Sequence, residues 1–464
     1  MALDPSLHTP RITELEHWHD VAPRVRTLAG SPWTAWLDSA APGAGASGRY
    51  DIVVADPIVT LRTRGGVTEI AARSGAVATS TRPPLELLRE QLGDLVEPAA
   101  GMPFCGGAVG YFGYDLGRRF ERIPSVAAAD IDMPDLAVGI YDWAVIVDHE
   151  ERRTWLASLG REPRTLADWP QLLTRLAGAP PPDPPPFRVL ARATANFSQA
   201  AYGGAFRRVQ EHIRRGDCYQ VNLTQRFEAR AEGDAWHAYL RLRAINPAPF
   251  AAYLDLPDGK IVCSSPERFL RVSGDRVETK PIKGTRPRSA DPVRDRALAE
   301  ELRTSAKDRA ENVMIVDLLR NDLGKCCVPG SIHASKLFDV ESFASVHHLV
   351  STVEGQLRSG QHALDLMAAC FPGGSITGAP KVAAMQIIEQ LEPHRRSVYC
   401  GCIGYVGFDG NMDTNIAIRT LVQRGDRVYT WAGGGVVADS DLDAEYQESF
   451  DKAAAMLAVL DPTV

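Results

Sequence analysis

Along this chain, hydrophobic and polar positions repeat with two periods. From Tyr50 to Ala72, YDIVVADPIVTLRTRGGVTEIAA alternates on either side of Gly65-Gly66, which predicts strands around a tight turn. QAAYGGAFRRVQEHIRRG repeats at helical spacing after Ser198, a capping residue, and stops at Gly216. CYQVNLTQRF then alternates as a strand, with Tyr219, Val221 and Leu223 on one face and Gln220, Asn222 and Thr224 on the other. A polar face of that kind either meets water or lines a pocket. SSPERFLRVSGDRVETKPIKGT predicts a hairpin closing at Gly274-Asp275. Its register pairs Ser273 with Arg276, Leu270 with Thr279 and Glu267 with Ile282, so Lys283 lies one step from the position opposite Glu267.

Further on, SAKDRAENVMIVDLLRNDLGK predicts a helix opened by Ser305 and Asp308 and closed near Gly324. Asp308, Glu311, Ile315 and Leu318 share one of its faces, so Glu311 points the same way as residues that should be buried. CFPGGSITGAPKVAAMQIIEQLEP runs from a glycine-rich loop into a helix with Pro380 at its first turn. Such a junction offers backbone N–H groups to an anion, but no GK[ST] ending follows, which excludes a P-loop NTPase. A meander follows, with turns at Asp409-Gly410 and Gly425-Asp426. It places Asn415, Ala417 and Arg419 on one face and Ile416 and Ile418 on the other. Gly401, Gly404 and Gly407 leave space beside Tyr405, and Gly433, Gly434 and Gly435 form a candidate anion nest. Arg419 suits a planar carboxylate, or else is an ordinary strand arginine. The last helix, DLDAEYQESFDKAAAML, carries Asp441, Glu445, Glu448 and Lys452 on one stripe. That stripe is either a solvated salt-bridge face or a source of oxygen ligands for a hard cation such as Mg²⁺.

Composition narrows the class. The stretch AGAPPPDPPP, from Ala177 to Pro186, holds six prolines and predicts an extended connector. It divides an N-terminal region, 1–176, from a catalytic region, 193–464, through a proline-rich linker, 177–192. The formal net charge of -7 argues against nucleic acid as a partner. The first residues lack the pattern of a secretory leader, and no apolar run is long enough to span a membrane, so the expected location is the cytoplasm. The eight cysteines show no CxxC spacing and read as reduced core thiols.

Lys283 carries the chemical question. In its setting it is solvated decoration, an anion anchor or a nucleophile. Desolvation, with Arg286 and Arg288 nearby, would favour the neutral, nucleophilic amine. A carboxyl beside it in an apolar pocket, Glu267, would stay protonated and serve as a general acid.

Taken in order, CYQVNLTQRF, SSPERF, PIKGTRPR, DRAENVMIVDLLRNDLG, HHLVSTVEG, FPGGSITGAPK, CGCIGYVGFDGNMDTNIAIRT and GGGVVADSDLDAEYQESFDK closely resemble the chorismate-utilising enzymes. That family includes anthranilate, isochorismate, salicylate and aminodeoxychorismate synthases. The resemblance implies an α/β (α+β) fold, a large two-sheet, mostly antiparallel sandwich with outer helices. Where anthranilate synthases read Pro-Ile-Ala-Gly-Thr, this chain has Lys283, the mark of the family's 4-aminobenzoate branch. The implied reaction is amination of chorismate at C4 through a covalent Lys283 adduct, with anthranilate formation as the alternative. Glu267 is implied as general acid, and Glu311 and Glu448 as Mg²⁺ ligands, backed by Asp308 and Glu445. Gln220, Thr285, His348, Tyr405, Arg419, Gly433, Gly434, Gly435 and Lys452 are implied to bind substrate. Gln220 stands where isochorismate-forming relatives keep a water-activating lysine, which argues against water as nucleophile. No amidotransferase elbow of the Gly-x-Cys-x-Gly type occurs, so ammonia is expected from a separate glutaminase subunit. The family's tryptophan site is matched partially, by WLDS ending at Ser39 and by NPAPF, with Pro247 and Phe250.

Overall fold

The computed structural model describes residues 10–40, 48–99, 101–343 and 346–463. The reading of the chain's start rests in part on residues 1–9, which lie outside these. Among the described residues two large sheets form, of 13 and 12 strands, and their strand ladders pair antiparallel. This is the two-sheet sandwich with outer helices that the resemblance implies. Strands Gly107–Phe112 and Leu136–Tyr141 of one sheet and Trp143–Asp148 of the other are buried at every position, as strands covered on both faces must be. The largest apolar cluster draws on both sheets, Ile146, Leu254 and Trp431 from one and Tyr111 and Phe269 from the other. A second cluster, containing Trp36, Trp169 and Trp236, packs helices against the outer face of the larger sheet. All eight cysteines are buried and free, as expected.

Strands from before and after the proline-rich stretch share both sheets. Thr34–Asp38 pairs with Phe250–Leu256, and Gly107–Phe112 with Cys402–Gly407. The stretch itself has no helix or strand from Gly178 to Phe187. It is strapped down through its carbonyls: Arg26 donates to Pro182 at 2.7 Å and the Asp234 N–H to Pro185 at 3.0 Å.

Several elements form where the pattern predicts. The helix Gln199–Arg215 is capped by Ser198 and ends at Gly216 in the left-handed region. Strand Gln220–Glu232 is buried on both faces as far as Phe227, so its polar face lines an interior. The hairpin pairs Ser273 with Arg276 as expected. Beyond Thr279 the register differs. Strand Ile282–Pro287 leaves the hairpin and pairs with Val346–Gln356, so Ile282 lies opposite Val350, not Glu267.

The meander also departs from its expected alternation. After Asn415 the chain leaves the smaller sheet and re-enters a strand of the larger one at Thr420. Ile416 to Arg419 therefore form a crossover, with Arg419 at φ 50°, and not a continuous strand. The chain crosses the same gap between Ser265 and Arg268. The two crossovers run side by side, joined by Ile416 N–H to the Glu267 carbonyl at 3.0 Å and Ser264 N–H to the Arg419 carbonyl at 3.0 Å. Gly433 to Gly435 are likewise ordinary ladder residues, opposite Thr224, Leu223 and Asn222, and not a nest.

The glycine-rich loop before the helix Lys381–Leu391 is pinned from two sides. Buried Lys381 reaches Asp322 at 2.6 Å and the Cys370 carbonyl at 2.5 Å, which occupies it as a structural anchor. Arg396, 1% exposed, donates to the carbonyls of Ile376 at 2.8 Å and Asn222 at 2.6 Å and pairs with Glu392 at 2.7 Å. Removing one member of such a pair strands the other's charge in a dry interior. Arg396→Met is expected to lower unfolding free energy by about 3–5 kcal/mol in a denaturant titration. Adding Glu392→Leu should recover only part of it, since Thr224 loses its acceptor on Glu392 and the two carbonyls still lack the guanidinium's bonds.

Candidate active site

The two crossovers put a carboxyl and a guanidinium into one interior. Glu267 is 6% exposed. Burial pushes its carboxyl up to about 7, against the Ser375 hydroxyl, the Lys283 charge and the Ile282 N–H, all of which favour the anion. The Glu267–Ile282 proximity expected from the hairpin therefore survives, but as a bond to the side chain and not as a ladder pair. Arg419 is held by Asn246, whose Oδ1 accepts from Nη1 at 3.0 Å. It has no carboxylate partner among the described residues, and burial lowers its pKa. A desolvated cation without a counter-ion is a site for an anionic ligand.

Lys283 enters from the edge strand. The ladder to Val346–Gln356 shifts register between Ile282 and Thr285, which leaves Lys283 in a bulge, the device by which strands re-aim a side chain. Burial lowers the lysine's pKa and so does Lys452, while Glu311, Glu267 and Glu448 oppose the shift. The positive field expected from Arg286 and Arg288 is not available to it. Arg286 is paired with Glu301 at 2.7 Å and Asp308 at 3.2 Å, and Arg288 with Asp295 at 2.9 Å.

Two helices supply the acids. On Ala306–Gly324, Glu311 is raised by burial and has Lys283 and Lys307 as cationic neighbours. On Leu442–Val459, Glu448 pairs with Lys452 at 2.6 Å, and the lysine also donates to the Gly433 carbonyl at 3.1 Å. Glu445 is 4% exposed, accepts from Ser440 at 2.7 Å through Oε1 and leaves Oε2 buried without a partner. The glycine strip explains how the helix comes so near the strand: a Cβ on Gly434 would stand 2.7 Å from Glu445 Oε2 and 3.3 Å from Glu448 Oε1. A Cβ on Gly435 would meet Gln220 Nε2 at 2.7 Å. Gln220 is fully buried, and neither of its side-chain polar atoms has a hydrogen-bond partner among the described residues.

No three described His, Cys, Asp or Glu side chains close around one point. The donor set nevertheless suits a hard cation that takes one or two protein carboxylates and completes its shell with water and ligand oxygens. Glu445 Oε2 is a buried oxygen in want of such a partner. Asp308 is committed to Arg286.

Thr285 and His348 lie opposite each other across the ladder, with Oγ1 to Nδ1 at 2.9 Å. Burial, then the Arg419 charge, drives His348 down to about 3, so its ring is neutral at neutral pH. Tyr405 is not brought to this group. It packs at a tilt against Phe104, with centroids 5.0 Å apart, and lines a separate cavity of about 90 Å³ with Asp38, Phe250, Arg268 and Asp413. Of the residues expected for a tryptophan site, Phe250 lines that cavity. Ser39 bonds instead to Asp51, at 2.7 Å from its N–H and 2.8 Å from its hydroxyl, and Pro247 is not in the wall. Sequence reasoning missed Ser375, Lys307 and the arm from Asn246 to Arg419. The NPAPF and FPGGSITG motifs were in view, but which atoms they present depends on the crossovers.

Residues 38–458 match the family model described as chorismate binding enzyme. Over 417 residues, 89% of this chain and 90% of the relative, the chain is 50% identical to the aminodeoxychorismate synthase component 1 of Salmonella typhimurium. It is 49% identical to that of Escherichia coli K12 over 437 residues, 94% of each. The crystal structure of anthranilate synthase component I from Streptococcus pneumoniae superposes with a TM-score of 0.79 at 33% identity, covering 88% of this chain and 92% of that one. The buried acid, the bulged lysine and the carboxylate helices thus stand in a chain that belongs to the chorismate-binding enzymes.

Proposed function

We propose that the chain aminates chorismate at C4 to give 4-amino-4-deoxychorismate, in 4-aminobenzoate biosynthesis, as the component that receives ammonia from a separate glutaminase subunit. The observation that carries this reading is Lys283, a half-buried, desolvated amine in a strand bulge with Glu267, Glu311 and Glu448 among its charged neighbours. The relatives at 50% and 49% identity bear the aminodeoxychorismate synthase description, whereas the anthranilate synthase structure stands at 33%.

The steps follow from the groups present. The neutral Lys283 amine attacks C2 of the ring, the double bond shifts, and the C4–O bond breaks as Glu267 gives its proton to the departing hydroxyl, which leaves as water. The new ammonium adduct returns a proton to the Glu267 carboxylate. Ammonia then attacks C4 and the double bond shifts back. The C2–N bond breaks as Glu267 gives its proton to the Lys283 nitrogen, which leaves as the neutral amine, and the new C4 ammonium returns a proton to the Glu267 carboxylate. Covalent catalysis divides one difficult substitution into two. Arg419 holds a carboxylate, the glycine strip Gly433 to Gly435 lets the carboxylate helix come close, and Thr285 and His348 shape the wall. Gln220 offers its unpartnered amide to substrate or ammonia. Glu311 and Glu448, with Glu445 behind them, would hold Mg²⁺. Bound there, the ion would neutralise and orient the ring carboxylate. Tyr405 takes no part. Its cavity is the place for a tryptophan ligand, with Asp38 and Phe250 in the wall.

The direct test incubates the purified chain with chorismate, Mg²⁺ and excess ammonium salt and identifies the product by mass spectrometry. 4-Amino-4-deoxychorismate is expected, and anthranilate would overturn the reading. The acid form of Glu267 is present below its raised pKa and lost above it. At fixed free ammonia, kcat/KM for chorismate is therefore expected to fall as pH rises through about 7. The rise that frees the Lys283 amine lies below the ordinary lysine range, because the lysine's pKa is lowered. Glu267→Gln should remove the descending limb and cut kcat by about 10²–10⁴-fold. Glu311→Gln should raise the Mg²⁺ concentration needed for half-maximal activity by about tenfold or more, read from a Mg²⁺ titration.

A further inference from the structure

The strand that carries Lys283 is weakly held. Ile282–Pro287 is the edge of its sheet and pairs on one side, to Val346–Gln356. The register shift between Ile282 and Thr285 leaves Lys283 and Gly284 outside the regular ladder pairing. An edge with a bulge has few backbone bonds to fix a side chain. Gly284, at φ +87°, lies so close to the neighbouring helices that a Cβ there would come 2.8 Å from Leu302 Cδ1 and 2.9 Å from Asp308 Oδ1.

Just past the bulge, Arg286 reaches across to those helices. Its Nη2 donates to Asp308 Oδ2 at 3.2 Å, its Nε to Glu301 Oε1 at 2.7 Å, and its Nη1 to the Thr285 carbonyl at 3.0 Å. The Arg286 and Asp308 side chains are 25% and 17% exposed, so water screens the bridge only in part. Asp308 lies one turn before Glu311 on the same helical face, and the Glu311 charge acts on Lys283. One guanidinium thus closes a loop: Lys283 strand, Arg286, Asp308, Glu311, and back to Lys283.

We propose that Arg286 is a positioning residue, which locks the Lys283 bulge onto the first turn of the helix Ala306–Gly324 through Asp308 and so sets where the amine stands relative to the Glu311 carboxylate. The proposal rests on the reading of Lys283 as the nucleophile. A planar fork suits the task, since it bonds the helix and its own strand's Thr285 carbonyl together, which an ammonium does only in part. A misplacement of the order of 1 Å costs a reacting pair far more than it costs ground-state binding.

The test compares Arg286→Ala and Arg286→Lys with Arg276→Ala, whose exposed ion pair to Glu354 lies on the neighbouring strand. Two readings are taken on each chain: steady-state kinetics with chorismate and ammonium salt, and the rate at which a small amine-acylating reagent labels Lys283, followed by peptide mass spectrometry. For Arg286→Ala, kcat is expected to fall about tenfold to a hundredfold with KM for chorismate held within about twofold, and Lys283 labelling to quicken by about threefold or more. Arg286→Lys should restore part of both, and Arg276→Ala should match the unaltered chain. Arg286→Ala with unaltered kcat and unaltered labelling would overturn the proposal, as would a loss of kcat that merely follows the folded fraction seen by thermal melting. Full activity in Lys283→Ala would overturn the nucleophile reading by itself, and the labelling contrast would then decide the placement of the lysine alone.

Discussion

The structure turns on two short crossovers bonded side by side. Between Ser265 and Arg268, and again between Asn415 and Thr420, the chain leaves one sheet for the other. The Glu267 and Arg419 carbonyls each accept an N–H from the opposite crossover. Because each crossover satisfies the other's backbone, irregular chain can lie inside the molecule without orphaned polar groups. That leaves the Glu267 side chain buried and the Arg419 side chain half-buried in one interior. Arg419 in the left-handed region, at φ 50°, is the local strain such an arrangement carries.

Charge is balanced around this point with little to spare. Lys283 and Lys452 face Glu267, Glu311 and Glu448, and Lys307 adds a cation at the mouth. Burial favours the neutral form of both Lys283 and Glu267, and it is the leading cause of each shift. An amine and an acid that both resist ionisation are what a covalent step with a poor leaving group requires. The same desolvation leaves Arg419 charged and unpaired, and leaves Gln220 and Glu445 with open hydrogen-bonding atoms. These unmet needs mark one face of the site as built for a polar, anionic guest.

Helices capped by Ser198 and Ser305 and the hairpin turn at Gly274-Asp275 were legible from spacing and capping residues, because each depends on neighbours within a few positions. The pairing of Glu448 with Lys452 was legible for the same reason. Whether the Gln220 strand's polar face meets water was left open by alternation, and only the packing buries it. Alternation misled where the chain changed sheets. Asn415 to Arg419 reads as strand, yet the ladder ends at Asn415, since no local signal announces which sheet a residue will join. The family resemblance implies a substrate-binding Tyr405, yet its strand carries it to the other cavity.

The sequence by itself determined most of the elements, the family and which side chains are candidates for the chemistry, because residue type, short-range periodicity and motif order are properties of the chain. Tertiary structure alone decided which charges meet. Arg286 and Arg288 follow Lys283 within five residues, but a bulge and an edge strand turn them towards Glu301, Asp308 and Asp295, while Lys452 comes in from a helix far along the chain. Coulomb interaction and desolvation depend on distance through space and on what displaces water, and neither is written in the spacing of residues along a chain.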